Sequence, residues 1–353
     1  MNNKKLFLDI HAIQAVPPSN INRDDSGSPK TAQYGGVRRS RVSSQSWKRA
    51  IRKYFNEESA AENVGIRSLD IVEYLAHKII ENAADIDQDE AIKLAEATFN
   101  NAGVKTKEGK VKALFFLGEY QANNLAKAAI DGEKDKKKLK DILSDTPALD
   151  IALFGRMVAD DPSLNEDASA QVAHAISTHA VQTEFDFYTA LDDLAKEDTS
   201  GAGMLGTTEF NSSTLYRYAN VAIHDFDKQV NNNETLVKSL QLFIKAFSNS
   251  MPTGKVNSFA NQTLPSSLLV SVRSDRPVNL VTAFEQPVES TAKGYIHSSV
   301  DALVKEYNKI QGFVDEPVFM LNLGADGLGD NFTKLSDMLN EFGEKLSQQL
   351  SDE

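Results

Sequence analysis

The chain has 353 residues, no cysteine, 41% hydrophobic residues and a formal charge of -12. That length supports two or three packed units. The missing cysteine excludes disulfides, thiolate metal sites and a thiol nucleophile, and no apolar run approaches the ~20 residues needed to span a bilayer.

Leu6 to Ile13 places Leu6, Leu8 and Ile10 on one side, which predicts a strand ending at Pro17-Pro18. Asp9 and His11 interrupt the apolar run and no small-residue cleavage site follows, so a signal peptide is not expected. Residues 19–36 are rich in turn formers and read as a long loop, a candidate binding loop. Val37 to Val42 is compatible with a second strand. A helix then begins near Ser43 or Ser44, either of which can cap it. At 100° per residue, Trp47, Ala50, Ile51 and Tyr54 share one face, while Lys48, Arg49, Arg52 and Lys53 occupy the opposite arc.

From Glu57 to Ile176 the periodicity is mostly helical. Stripes are formed by Ile71, Leu75, Ile79 and Ile80, and by Ala91, Leu94, Ala95 and Phe99. A third helix is expected over Leu114 to Ile130, and the mixed-charge run Glu133 to Lys138 reads as a solvated face. Residues 181–214 combine acids with Phe185, Phe187 and Tyr188, then a piece with Gly201, Gly203 and Gly206. This reads as an extended arm with a flexible tip. Beyond it, a strand at Leu215 to Ile223, a helix at Leu236 to Ser248, a strand at Ser267 to Arg273 and helices at 298–311 and 331–350 are expected. The order gives an α+β fold with a helical insertion in a split sheet domain. The expected domains are 1–56, 57–180, 181–214 and 215–353.

Charge is distributed unevenly. Residues 1–56 hold 11 Lys+Arg against 3 Asp+Glu, whereas the remainder holds 27 against 47. Gly35 to Lys53 carries Arg38, Arg39, Arg41, Lys48, Arg49, Arg52 and Lys53 with no acid. A basic island in an acidic chain points to a polyanion held along one face. Taken alone, a basic amphipathic helix is also compatible with a solvated or membrane-surface face.

Enzyme motifs are scarce. There is no GxxxxGK[ST] loop, and Gly324 to Gly329 has the wrong spacing for a dinucleotide fingerprint. On a helix, His174 and His179 would point apart, unlike an i, i+4 zinc pair, and His174 reads as a buried or interface residue. The carboxylates Asp160-Asp161, Asp186 and Asp192-Asp193 could serve a two-metal nuclease only if they converged. Trp47 is read as core, Tyr216 and Tyr218 as sheet packing.

One family brings these pieces together. Asn22-Arg23-Asp24-Asp25, Gly35-Gly36, the run Arg38 to Ser46, and Lys48-Arg49-Ala50 with Arg52 resemble the CasC-type backbone subunit of the type I-E CRISPR Cascade complex. Asp150 to Met157, Ala173 to His179, Asp186 to Leu194, Gly206 to Phe210 and Tyr216 to Asn220 agree in the same order. Regions 57–147 and the C-terminal tail match only in general character. Val37 stands where relatives often carry a basic residue, Asp160-Asp161-Pro162 adds acid beyond Met157, and the aromatic stacking motif of ordinary RNA-recognition domains is absent.

The resemblance implies a modified RNA-recognition-motif (ferredoxin-like) palm, helical fingers and a thumb at 181–214. It implies a non-catalytic, cytoplasmic subunit in antiviral defence, with no cofactor and no metal. Copies polymerise as a helical filament along one guide RNA (crRNA), present it to target DNA, and meet the large, small, guide-end and repeat-processing subunits. The expected RNA-binding residues are Arg23, Lys30, Arg38, Arg39, Arg41, Ser43, Gln45, Lys48, Arg49 and Arg52, with Arg156 and Met157 from the fingers and Phe187, Tyr188 and Thr189 from the thumb. Base pairing supplies specificity, so the protein is expected to grip phosphates. The alternatives are a metal-dependent RNase and a general single-strand RNA-binding protein outside CRISPR.

Overall fold

The computed structural model describes residues 5–58, 63–158, 161–190, 204–230 and 232–351. The chain divides into two compact units: one of Met1–Ile51, Val172–Asn220 and Phe243–Gln348, the other of Arg52–Gln171, Val221–Leu242 and Gln349–Glu353.

The first unit is built on a large sheet. Its first strand, β1 (Phe7–Ser19), is buried on both faces over most of its length, as a central strand must be. It pairs antiparallel with Ser267–Arg273, from Phe7 opposite Arg273 to Ile13 opposite Ser267. From one edge the sheet runs Asp330–Asn331, Phe319–Leu323, Ser267–Arg273, β1, Met204–Ala222, Ala175–Ser177, β3 (Val37–Val42) and β2 (Thr31–Tyr34). The strand does not stop at Pro17-Pro18. Both prolines are exposed and lie past Ile13, where pairing with Ser267–Arg273 has ended, so their missing N–H groups cost no bond in that ladder.

The expected loop at 19–36 contains β2, which pairs with β3 from Thr31 opposite Ser40 to Tyr34 opposite Val37. Gly35 and Gly36 close the hairpin with φ of 57° and 77°, the left-handed pair of a tight type I′ turn. A Cβ on Gly35 would fall 1.6 Å from the Glu285 carbonyl oxygen, so only glycine fits. The helix α1 (Ser44–Glu57) follows. Ser43 caps it, its Oγ accepting from the Ser46 N–H at 3.3 Å, and Trp47, Ile51 and Phe55 are buried.

In the second unit, helices Ile71–Asn82, Gln88–Ala102, Glu119–Ile130 and Lys136–Ser144 enclose a core of Leu75, Ile79, Phe99, Leu125 and Leu139 among others. Asp87 caps the second of these by accepting from the Glu90 N–H, and Gly103 at φ 97° ends it. Two expectations are corrected. Phe115–Gly118 is a strand paired with Gly65–Ser68, so the following helix starts only at Glu119. Ala170–Val172 and Ala175–Ser177 are strands; the sequence signal there is weak because each segment has only three residues. The segment Val221–Leu242 returns to this unit, which periodicity does not reveal.

Candidate nucleic-acid interface

The basic surface of the first unit grows from three pieces of backbone. The loop before β2 is organised by Asp24, whose carboxylate accepts from the Ser26 and Ser28 N–H groups and the Ser26 hydroxyl. These bonds, led by the Ser26 hydroxyl, hold the carboxyl below its usual range. Arg23 bridges to Pro29 and its side chain is exposed. The loop is tied down where the Asn20 amide donates to Gly27 O and Glu209 O, both at 2.9 Å.

The β2–β3 hairpin carries three arginines in different settings. Arg38 is exposed. Arg39 is fully buried, and its guanidinium donates to the carbonyls of Tyr34, Ser177, Phe284 and Glu285 at 2.7–3.5 Å. Every nitrogen is committed to main chain, so the expectation that Arg39 meets RNA is corrected: it is a cross-brace of the sheet. Arg41 is half-buried, with Nε donating to Thr31 O at 3.2 Å.

Helix α1 adds Gln45 and Arg49, both exposed, and half-buried Lys48. Ser43 is buried, and its Oγ accepts the capping bond from the Ser46 N–H. The helix is anchored from below. The Arg217 guanidinium lies 3.6 Å from the Trp47 ring centroid and 4.3 Å from that of Phe247, and donates to Gln14 Oε1 and Phe247 O at 2.5 Å. Burial pushes the Arg217 pKa down to about 9, which leaves it charged at neutral pH. Its place between two rings offsets part of the desolvation.

The arm begins as a hairpin. Glu184–Ala190 pairs with the start of Met204–Ala222, from Glu184 opposite Phe210 to Ala190 opposite Met204. Strand alternation puts Phe185, Phe187 and Thr189 on one face and Asp186 and Tyr188 on the other. Phe187 is 72% exposed and Tyr188 43%. The three residues expected to act together therefore divide, with Tyr188 opposed to Phe187 and Thr189. Asp192, Asp193, Gly201 and Gly203 lie outside the described residues.

The sequence reading missed Lys255. It has left-handed backbone, φ 46°, in a loop before the single turn Val256–Phe259. Its ammonium donates to Thr208 Oγ1 at 3.1 Å, on the Tyr188 face of the arm. No local sequence signal marks a lone lysine whose partner is 47 residues away.

In the second unit, Arg156 is buried and donates to the carbonyls of Leu164, Phe116 and Leu143 and to Gln121 Oε1 at 2.8–3.3 Å. It is a structural arginine, which corrects the second arginine expectation. Met157, its neighbour, is 80% exposed. Arg52 lies 5.3 Å from the Phe116 ring centroid. Asp150 is buried and accepts from the Gly65 N–H at 2.9 Å; burial pushes its pKa up to about 7, against that bond and the Arg52 charge. Asp161 is held down to about 2 by bonds from Lys140 and Ser163, so its charge is already engaged.

His174 is exposed and His179 stacks on Tyr295 at 3.7 Å between ring centroids. Among the described residues no three His, Asp or Glu side chains are grouped to hold a metal ion. Among them, too, no helix is long and apolar enough to cross a membrane.

A cationic helix anchored on a large sheet and an aromatic-bearing hairpin are features expected of a CasC-type backbone protein. The model of the CT1975-like protein family matches residues 8–341, and the chain belongs to that family. A chain of a solved "CRISPR RNA-guided surveillance complex, pre-nicking" is 30% identical with a TM-score of 0.82, over 96% of this chain and 100% of that one. A chain of a second "CRISPR RNA-guided surveillance complex" is 28% identical with a TM-score of 0.64, over 96% and 98%. No curated protein matches.

Proposed function

We propose that this chain is a non-catalytic backbone subunit of a type I-E CRISPR surveillance complex. In this reading it binds the guide RNA, polymerises along it, and presents its bases to target DNA, alongside the other Cascade subunits. The palm is of the modified RNA-recognition-motif kind and the arm at 181–214 is the thumb. The observation that carries the reading is the anchoring of α1: Trp47 and Ile51 are buried while Gln45 and Arg49 face solvent and Lys48 is half-buried. Cations on a rigid helix grip phosphate without reading sequence. The likeness to chains of two RNA-guided complexes supports it.

The grip is assigned to Arg23, Lys30, Arg38, Arg41, Gln45, Lys48, Arg49 and Arg52, with Lys255 added and Met157, Phe187, Tyr188 and Thr189 meeting bases or a neighbouring copy. Replacing Lys48, Arg49 and Arg52 with alanine tests it. Binding of unrelated single-stranded RNAs should weaken equally, and the log-log salt slope should become shallower by about one unit per lost contact. A folded triple variant with unchanged affinity and slope rejects the reading.

A further inference from the structure

We propose that His174 is a positioning residue that aims Arg41 at a phosphate of the bound polynucleotide. The inference rests on the guide-binding reading above and goes beyond it. Strand register brings the two together: Arg41 lies opposite Ile176 and Val42 opposite Ala175, so position 174 comes beside the residues that open α1. There His174 Nδ1 accepts from two groups, Arg41 Nη1 at 3.3 Å and the Ser44 N–H at 3.4 Å. Guanidinium and main-chain N–H are donors only. Nδ1 must therefore carry a lone pair, which places the ring proton on Nε2.

The consequence for Arg41 is orientation. Its Nε is held by Thr31 O and its Nη1 by His174. Two anchors fix the plane of the guanidinium fork. The remaining Nη2 edge stays available for phosphate, and little rotamer entropy remains to be lost on binding. Lys30 and the Ser44 N–H that opens α1 border the same spot. Burial lowers the pKa of the imidazole, and the charges of Arg41, from β3, and Lys30, from the loop, lower it further. A proton on Nδ1 would face both donors and evict Arg41. Acid should thus weaken RNA binding through this histidine, opposite in sign to a histidine that contacts phosphate as a cation.

Anisotropy of a labelled single-stranded RNA on the full chain, from pH 8 to pH 5 at fixed salt, tests it. The wild type should lose up to about tenfold in affinity as pH falls below the usual imidazole range, one charged hydrogen bond's worth. His174→Gln keeps an acceptor that does not titrate; it should bind as wild type at pH 8 and respond less to acid. His174→Ala should be weak even at pH 8, and should cost nothing further in an Arg41→Ala background. Acid-strengthened binding that disappears in His174→Ala, or additive effects of the two alanines, overturns the proposal. If the Lys48, Arg49 and Arg52 variant still weakens binding, only the His174 inference falls. If neither that variant nor those at position 174 alter binding, both readings fall.

Discussion

The ring of Tyr188 fills the space that a side chain at Gly206 would need. The two residues are directly opposite in the arm hairpin, and a Cβ on Gly206 would lie 2.4 Å from the tyrosine Cζ and 2.5 Å from its hydroxyl oxygen. The glycine lets the ring lie flat across the partner strand, with 43% of the residue left exposed. An aromatic held on one side and open on the other suits wedging against a nucleotide base.

Gly206→Val should therefore act like Tyr188→Ala. Both should blur the regular interval of reactive nucleotides on an assembled guide, while the affinity of one subunit stays within about threefold, since no phosphate contact is lost. Chemical probing reads this out. Phe187→Ala, on the opposite face, should leave the interval intact. Unchanged periodicity in both Gly206→Val and Tyr188→Ala would remove Tyr188 from the mechanism.

Adjacent arginines should behave oppositely. Arg39→Ala strips the donors from four main-chain carbonyls and empties a buried site, a loss of about 3 kcal/mol or more. Arg38→Ala should leave the thermal midpoint unchanged and reduce the salt slope of RNA binding by about one. Calorimetry beside a salt titration separates them; an Arg39→Ala chain as stable as wild type would contradict the brace.

Two buried carboxyls should make stability depend on pH. Desolvation raises Asp9 to about 7, against hydrogen bonds from the Tyr218 hydroxyl and the Val278 N–H, and raises Asp150 to about 7. Both folded values exceed the unfolded one. Their contribution is complete below the unfolded value near 3.8 and is lost as pH rises through 7, at about 1.4 kcal/mol for each unit of separation. Buried His11 acts the other way: burial lowers it to about 3, so stability is lost as pH falls from 6.5 towards 3. Single replacements isolate the terms. Asp9→Asn should remove its share of the decline between pH 4 and 7 in denaturant titrations; an unaltered pH profile would show that Asp9 titrates normally.

The assembled protein should leave labelled guide and target RNA uncut in Mg²⁺ or Mn²⁺. On the described part of the arm, Asp186 is flanked by Phe185 and Phe187 and faces Thr208 across the hairpin, with no second carboxylate opposite to share a metal. Cuts at a fixed spacing that vanish in Asp186→Asn would establish the RNase alternative.

Local chemistry was readable ahead of the structure where it depends on neighbours in sequence. A serine cap at Ser43 or Ser44, the buried Trp47 stripe and the strand at Ser267–Arg273 all follow from spacing and residue type. The fate of individual arginines was not. Arg38, Arg39 and Arg41 look alike in a basic run, but Arg39 is taken by carbonyls up to 246 residues away and Arg156 by carbonyls from a strand and two helical segments. The β2–β3 hairpin was hidden because β2 has four residues and only half-buried or exposed positions.

The central position of β1 also sets an order of events during synthesis. β1 cannot be enclosed until Ser267–Arg273, its partner far later in the chain, has left the ribosome. At about 5–20 residues per second, the basic segment after β1 waits roughly 10–45 s without a finished sheet beneath it. Throughout that interval the nascent chain is an undocked polycation beside ribosomal and messenger RNA. Ribosomes stalled near the codon for residue 260 should thus carry chains whose β1 and α1 are open to protease, and ribosomes stalled after that for residue 340 should carry protected ones.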